Sequence, residues 1–376
     1  MNNLAYLSFY LILTCFFFIQ TAGAQEVGAP NIEFKPEVYV VQKIEDSIKI
    51  DGKLDEISWQ NASYTNSFTD ITGKPSLKPR YDTKALMLWD ESYLYIAAEL
   101  EEPHVWATLT DRDDIIFRDN NFEVFIDPDS DTHNYYELEI NALGTWWDLM
   151  LTHPYRNGGK AIDAWDIRGL EIGIDIQGTL NNPDDIDEGW TLEIAIPWGV
   201  LEEASQNGRP EAGDQWRLNF SRVQWQRDVL EGDYVKKKDP ETGEELREDN
   251  WSWSPQGIVN MHYPEMWGYI QFSEQVVRKS SDTFQWDSDE DHKWLLRKLY
   301  YKQIDIYDET GAYSDNPSDL NFDELYQNIT GEHPESSSLK IIVLDESYLM
   351  RLSTESSENH FYIRSDSKVW SSNKQN

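Results

Sequence analysis

From about residue 39 to residue 272 the chain is a succession of short apolar–polar alternations cut by turn residues, the pattern of half-buried strands. The stretch Tyr135-Tyr136-Glu137-Leu138-Glu139-Ile140 shows it plainly. Strands are predicted at 47–50, 84–89, 93–99, 121–126, 135–141, 145–152, 170–177, 190–197, 215–224 and 267–272. Asp51-Gly52, Asn157-Gly158-Gly159 and Asn207-Gly208 supply turn chemistry between them. Many short strands with no long helical period make an all-β antiparallel sandwich over residues 39–274. After that the texture changes. Leu295, Leu299, Tyr300, Ile304 and Tyr307 recur at helical spacing behind an acidic first turn. That spacing predicts a helix over 288–308, with Ser288 as its cap and Gly311 as its stop. Short strands follow at 339–344, 348–353 and 360–365, so residues 275–376 form a small α+β C-terminal appendix, docked or independent.

Residues 4–19 are almost continuously apolar and are followed by Ala22-Gly23-Ala24. The run is shorter than the ~20 residues of a membrane span and reads as a secretory signal peptide, residues 1–24. Residues 25–38, with Gly28, Pro30 and Pro36, read as a leader strand or linker. The expected location is therefore secreted, periplasmic or cell-surface, with no membrane insertion once the signal is cleaved. The single cysteine, Cys15, lies inside the signal, so the mature chain has neither a disulfide nor a cysteine-based zinc site. A formal net charge of −37 repels phosphate backbones and anionic lipid, which disfavours nucleic-acid and membrane-surface functions. The 16 tryptophans, 20 tyrosines and 14 phenylalanines argue against a disordered acidic polymer, and neutral ligands and divalent cations remain open. No HExxH, G-x-S-x-G, P-loop or GxGxxG occurs, and carboxylates are too abundant for any pair to signal hydrolysis. A non-catalytic protein is expected.

Several blocks carry a resemblance. Ile50-Asp51-Gly52-Lys53-Leu54-Asp55-Glu56 with Trp59 comes first, then Leu88-Trp89-Asp90-Glu91-Ser92-Tyr93-Leu94-Tyr95 and Asn121-Phe122-Glu123-Val124-Phe125-Ile126-Asp127-Pro128. Gly189-Trp190-Thr191-Leu192-Glu193-Ile194-Ala195-Ile196-Pro197-Trp198 and Trp216-Arg217-Leu218-Asn219-Phe220-Ser221-Arg222 follow. Trp251-Ser252-Trp253-Ser254-Pro255, His262 and Trp267-Gly268 close the series. In this order the blocks resemble a family-nine carbohydrate-binding module, of the family-nine-like kind secreted by Bacteroidetes-type bacteria. The resemblance spans roughly residues 40–273 and leaves the appendix uncovered. It implies a jelly-roll-like β-sandwich of the DOMON-like type, with sugar binding and structural calcium.

It also implies site residues. An aromatic platform lies six residues before the block's glutamate, which places Phe117 as platform and Glu123 as hydroxyl acceptor. Asn141 matches a polar position in the next strand, and Arg222 is a third polar contact. The second platform falls in Asn260-Met261-His262-Tyr263, where His262 stands and no tryptophan does. From the residues themselves, Trp59, Trp89, Trp190 and Trp216 are expected in the core. Trp146, Trp147, Trp165, Trp225, Trp251 and Trp253 lie nearer turns and are candidates for ligand contact, Trp147 and Trp253 among them. Asp127, Asp129 and Asp131 alternate as D-x-D-x-D, a donor set for calcium. It is not an EF-hand, because Thr132 and Leu138 stand where glycine and the bidentate glutamate belong. The partner expected is a poly- or oligosaccharide, and the appendix leaves a protein partner open. Two rivals are a scaffold without sugar binding and a haem-binding DOMON-like electron-transfer domain. For the latter, Met261 and His262 are adjacent, and neighbours on a regular strand face opposite ways.

Overall fold

A computed structural model describes residues 28–205, 207–278 and 282–375, and the predicted signal peptide lies outside the described residues. The first part of the chain contributes β1 (Val38–Lys43), α1 (Ile57–Asn61), β2 (Thr69–Asp70), β3 (Thr83–Trp89), β4 (Tyr93–Glu101), β5 (Asn121–Asp127) and β6 (Tyr135–Asn141). It continues through β7 (Trp146–Leu151), β8 (Ala161–Ile162), β9 (Glu171–Gln177), β10 (Gly189–Pro197), α2 (Trp198–Leu201) and β11 (Gln215–Gln224). The hairpin β12 (Arg227–Leu230) and β13 (Asp233–Lys236), then β14 (Asp249–Ser252) and β15 (Gly268–Val276), complete it. The hydrogen-bonded path runs β8-β7-β6-β5-β11-β15-β1-β3-β4-β10-β9, with β14 and β2 branching from β11.

The alternation seen in the sequence folds this path into two layers. Phe122, Val124 and Ile126 of β5 and Leu138 and Ile140 of β6 share one core with Leu94, Ile96, Ala98 and Leu100 of β4 and Leu192, Ile194 and Ile196 of β10. The halves β8-β7-β6-β5-β11-β15 and β3-β4-β10-β9 therefore face each other across apolar side chains. β1 joins them, running parallel to both β15 and β3; the other strand pairings are antiparallel. The predicted core tryptophans Trp89, Trp190 and Trp216 lie in this core, and Trp59 lies in a satellite cluster behind β3 and β4.

Residues 47–50, expected as a strand, pair with none. Their turn is held by a carboxylate instead. Glu193 accepts from the backbone N–H groups of Asp51 (2.9 Å) and Gly52 (2.7 Å) and from Trp59 Nε1 (2.7 Å). Gly52 has φ +85°, and a Cβ there would lie 2.3 Å from the Asp175 nitrogen, so only glycine fits. The Ile50–Glu56 block and the Trp190–Ile194 block are thus two halves of one structural lock.

The rest comprises α3 (Asp289–Thr310), α4 (Phe322–Thr330) and an antiparallel sheet of β16 (Ser337–Val343), β17 (Tyr348–Thr354), β18 (Asn359–Arg364) and β19 (Val369–Asn373). α3 ends on Gly311 in the left-handed conformation, as its sequence implies. Ser288 makes no capping bond; Asp289, Glu290 and Asp291 place negative charge at the helix start instead. β19 was not legible in the sequence. Leu295, Leu296 and Leu299 pack on Met350, Leu352, Phe361 and Ile363, and the same core takes in Ile258, Tyr263 and Met266 from the sandwich. Phe34 stacks on Trp294 with centroids 4.0 Å apart, so the segment before β1 is a packed strap and not a free linker. The appendix is docked. Among the described residues no helix is long and apolar enough to cross a membrane.

Candidate functional site

Because side chains alternate along a strand, the residues of β5 that avoid the core are Asn121, Glu123, Phe125 and Asp127. Register carries this outer row across the sheet. Ser221 of β11 lies opposite Glu123, Glu123 opposite Glu139, and Glu139 opposite Trp147 of β7. Glu137 lies opposite Phe125 on the same face. Phe117, in the turn before β5, joins them. Its backbone N–H donates to Glu139 Oε2 (2.7 Å), and its carbonyl accepts from Trp225 Nε1 (2.9 Å), leaving the ring 40% exposed. Glu123, Glu139 and Trp147 thus share one face, with the Phe117 backbone bonded to Glu139; Glu123 and Glu139 are themselves buried, 5% and 2% exposed.

Three buried glutamates, with no cationic partner among the described residues, determine its electrostatics. Burial pushes Glu123 up to about 7, although Asn121 Nδ2 donates to it at 3.0 Å. Burial, followed by the neighbouring carboxylates, holds Glu137 and Glu139 well above the ordinary carboxylate range. A carboxyl raised in this way can donate to a hydroxyl while it holds its proton and accept from one when it does not. Glu137 and Glu139 were not singled out in the sequence. Their signal was there: they share parity with Glu123 once β5 and β6 are paired, opposite in facing to Leu138 and Ile140.

The lower half of the same face is closed. Phe125, Tyr135, Leu149, Leu151, Met261 and Trp267 form an apolar cluster. His262 lies at its border, its Nδ1 3.0 Å from the Tyr135 hydroxyl and its ring against half-exposed Tyr155 at 4.6 Å. Burial pushes His262 down to about 3, so it is a neutral ring. Met261 packs among apolar side chains while His262 is engaged by Tyr135 and Tyr155.

Two predicted contacts stand elsewhere, and a third is already occupied. Arg222 lies opposite Phe122, on the core side of β11, because Ser221 takes the outer position. It is buried and donates to Glu102 (3.2 Å), Thr83 (2.8 Å), Gln224 (3.0 Å) and the Glu101 carbonyl (2.8 Å), so it is an internal strut. Trp253 is 2% exposed and packs in the main core, with Gly268 pressed against its ring. Asn141 is on the correct face but saturated. Its amide donates to the Leu109 carbonyl and Asp119, and its oxygen accepts from the Leu143 and Thr145 N–H groups. It shapes the turn beside the site.

At the other end of β5, Asp127, Asp129 and Asp131 bring carboxylate oxygens within 4.8 Å of one another. Asp127 is fully buried; its Oδ2 accepts from the Thr132 N–H (2.8 Å), whereas its Oδ1 has no hydrogen-bond partner among the described residues. Burial and the adjacent negative charges raise Asp127, and burial raises Asp129 to about 6. An orphaned buried carboxylate oxygen beside two more carboxylates is a donor set that fits a hard divalent cation. The same loop anchors the C-terminal sheet. Lys368 Nζ is 2.5 Å from Asp131 Oδ2, the Thr132 hydroxyl donates to the Ser367 carbonyl (3.1 Å), and the Val369 N–H donates to the Asp131 carbonyl (3.2 Å).

Comparison with known proteins bears on this geometry. Residues 50–274 match the family described as "Carbohydrate family 9 binding domain-like". Among curated relatives, endo-1,4-beta-xylanase C of Paenibacillus barcinonensis is 33% identical over 88 residues, 23% of this chain and 7% of that protein. Exoglucanase XynX of Acetivibrio thermocellus is 28% identical over 149 residues, 40% of this chain and 11% of that protein. The chain thus matches only a small part of either. A family 9 module from Caldicellulosiruptor kristjanssonii, solved with cellotriose, aligns at 15% identity and TM-score 0.41 over 66% of this chain and 99% of that one. With the family match spanning most of the sandwich, this chain belongs to the family 9 carbohydrate-binding-domain-like proteins.

Proposed function

We propose that the chain is an exported, non-catalytic protein that captures a neutral poly- or oligosaccharide on the outer face of β5, β6 and β7. The observation that carries this is the row Glu123–Glu139–Trp147 with the Phe117 ring at its rim. A sugar's C–H face would lie on Phe117 and Trp147 while its hydroxyls bond Glu123, Glu137 and Glu139. Each aromatic contact contributes about 0.5–1.5 kcal/mol beyond area burial, which makes micromolar to millimolar affinity ordinary. Family membership supports binding in place of hydrolysis, and relatives named as a xylanase and an exoglucanase suit a role beside polysaccharide breakdown. Asp127, Asp129 and Asp131 would hold calcium, whose charge would neutralise the loop against which the C-terminal sheet is docked. A glycan array of the wild type, Glu123→Ala and Phe117→Ala decides the matter. Loss of the wild-type signals in both variants supports the reading, and a blank wild-type array overturns it in favour of a scaffold.

A further inference from the structure

The C-terminal sheet has one face in the second core and one face open. Register brings Lys340 of β16 opposite Arg351 of β17, Arg351 opposite Tyr362 of β18, and Tyr362 opposite Trp370 of β19. Their alternate neighbours Met350, Leu352, Phe361, Ile363 and Val369 point inward, so these four form one row on the open side. Across three strand spacings the row spans about 14 Å. One end is cationic: Lys340 and Arg351 are both exposed, and neither is in an ion pair among the described residues. The other end is aromatic. Tyr362 and Trp370 are stacked 5.2 Å apart at 7°, with Trp370 on the edge strand. No carboxylate stands in this row or in the next one, Ser338, Ser353, His360 and Ser372. Desolvation, then the charges of Arg351 and Lys374, lower His360 below its ordinary value.

Two unpaired cations beside a ring pair are conspicuous in a chain of net charge −37. Such a row complements a polymer carrying both negative charge and flat C–H faces, with carboxylate or sulfate on Lys340 and Arg351 and a pyranose ring against Trp370. The molecule's overall negative field is screened beyond about 8 Å at physiological salt, so the local cations govern contact. We propose that this face is a second carbohydrate-binding surface, separate from the sandwich site, and that it takes an anionic polysaccharide.

The test is titration of the full chain with polygalacturonate, dextran sulfate, uncharged dextran and poly-L-glutamate. Binding to polygalacturonate or dextran sulfate, but not to dextran, is expected, and the stronger of the two names the anionic group. Raising NaCl from 0.05 to 0.5 M should weaken it about tenfold or more, a readout that needs no variant. Lys340→Glu with Arg351→Glu should also weaken it at least about tenfold, and Trp370→Ala several-fold, whereas Glu123→Ala leaves it intact. The proposal is overturned if neither charged glycan binds, if the double charge reversal does not matter, or if poly-L-glutamate binds equally well. The last outcome would assign the face to an acidic protein. Failure here leaves the sandwich site untouched, because its binding is read on neutral glycans.

Discussion

Two sets of buried carboxylates lie on the same side of the sandwich and behave oppositely. Beneath α3, the buried acids Glu265 and Glu290 each have a cation. Arg156 grips Glu265 at 2.8 and 3.0 Å, and the Tyr301 hydroxyl of α3 also donates to it. Arg217 bonds the Tyr269 hydroxyl, which in turn donates to Glu290 of α3, and Lys293 completes the group at 2.6 Å. Burial alone would raise Glu290, but Lys293 and Arg217 outweigh it and hold the acid down to about 2. Glu265 is lowered in the same way, by Arg156 and Arg297 against its burial. At the upper end of the face, Glu123, Glu137 and Glu139 are as deeply placed, lack any such cation among the described residues and are raised. Charges paired in place are joints. Carboxyls buried without a cation cost stability when they ionise, and their pKa values rise accordingly.

The contrast breaks most visibly by removing one side of a joint. Glu265→Ala leaves Arg156 buried and unpaired and should cost about 3–5 kcal/mol in urea unfolding. Trp253→Ala, in the core, should cost a similar amount, about 3–5 kcal/mol, without a specific effect on sugar binding in the protein that remains folded. An unfolding midpoint unchanged by Glu265→Ala would dismiss the joint.

The pH dependence should run in opposite directions for the two sets. Glu290, with its folded-state pKa lowered, contributes stability above its unfolded value of about 4.3 that is lost as pH falls towards 2. Glu290→Gln should therefore cost on the order of 3 kcal/mol at pH 7 and little at pH 2. Glu123, raised to about 7, destabilises the fold progressively as pH climbs from about 4.3 through 7. Glu123→Gln should then gain on the order of 3–4 kcal/mol at pH 8 and little at pH 4. Unfolding free energies across pH for both variants check the signs, and parallel profiles would erase the distinction.

Calcium sharpens the boundary between the sets. At a concentration near a hundred times its dissociation constant it should stabilise the chain by about 2.7 kcal/mol, and Asp127→Asn should abolish that gain in a thermal melt. The smallest effect belongs to the rim. Phe117→Ala should change unfolding free energy by no more than about 0.5 kcal/mol while weakening glycan binding several-fold in calorimetry.

Much of this was written in local pattern. The outer parity of β5 and β6, the span of α3 and its stop at Gly311 follow from period and turn chemistry within a few residues. Residues 47–50 misled because alternation of Ile48 and Ile50 speaks only of burial, and their turn is bonded to Glu193, 141 residues from Gly52. Arg222 misled for a related reason. Its polarity suggests an outer position, but parity from Ser221 opposite Glu123 sends it inward, where Glu102, distant in sequence, makes its burial tolerable.

The sequence by itself determined which residues alternate, where turns and the helix end must fall, and the family blocks, because period and glycine conformation act over a few neighbours. Only the tertiary structure decided which buried acids would be paired. A carboxylate's partner comes from register and packing between segments far apart in the chain, and proximity in space, not residue type, separates Glu290 from Glu123.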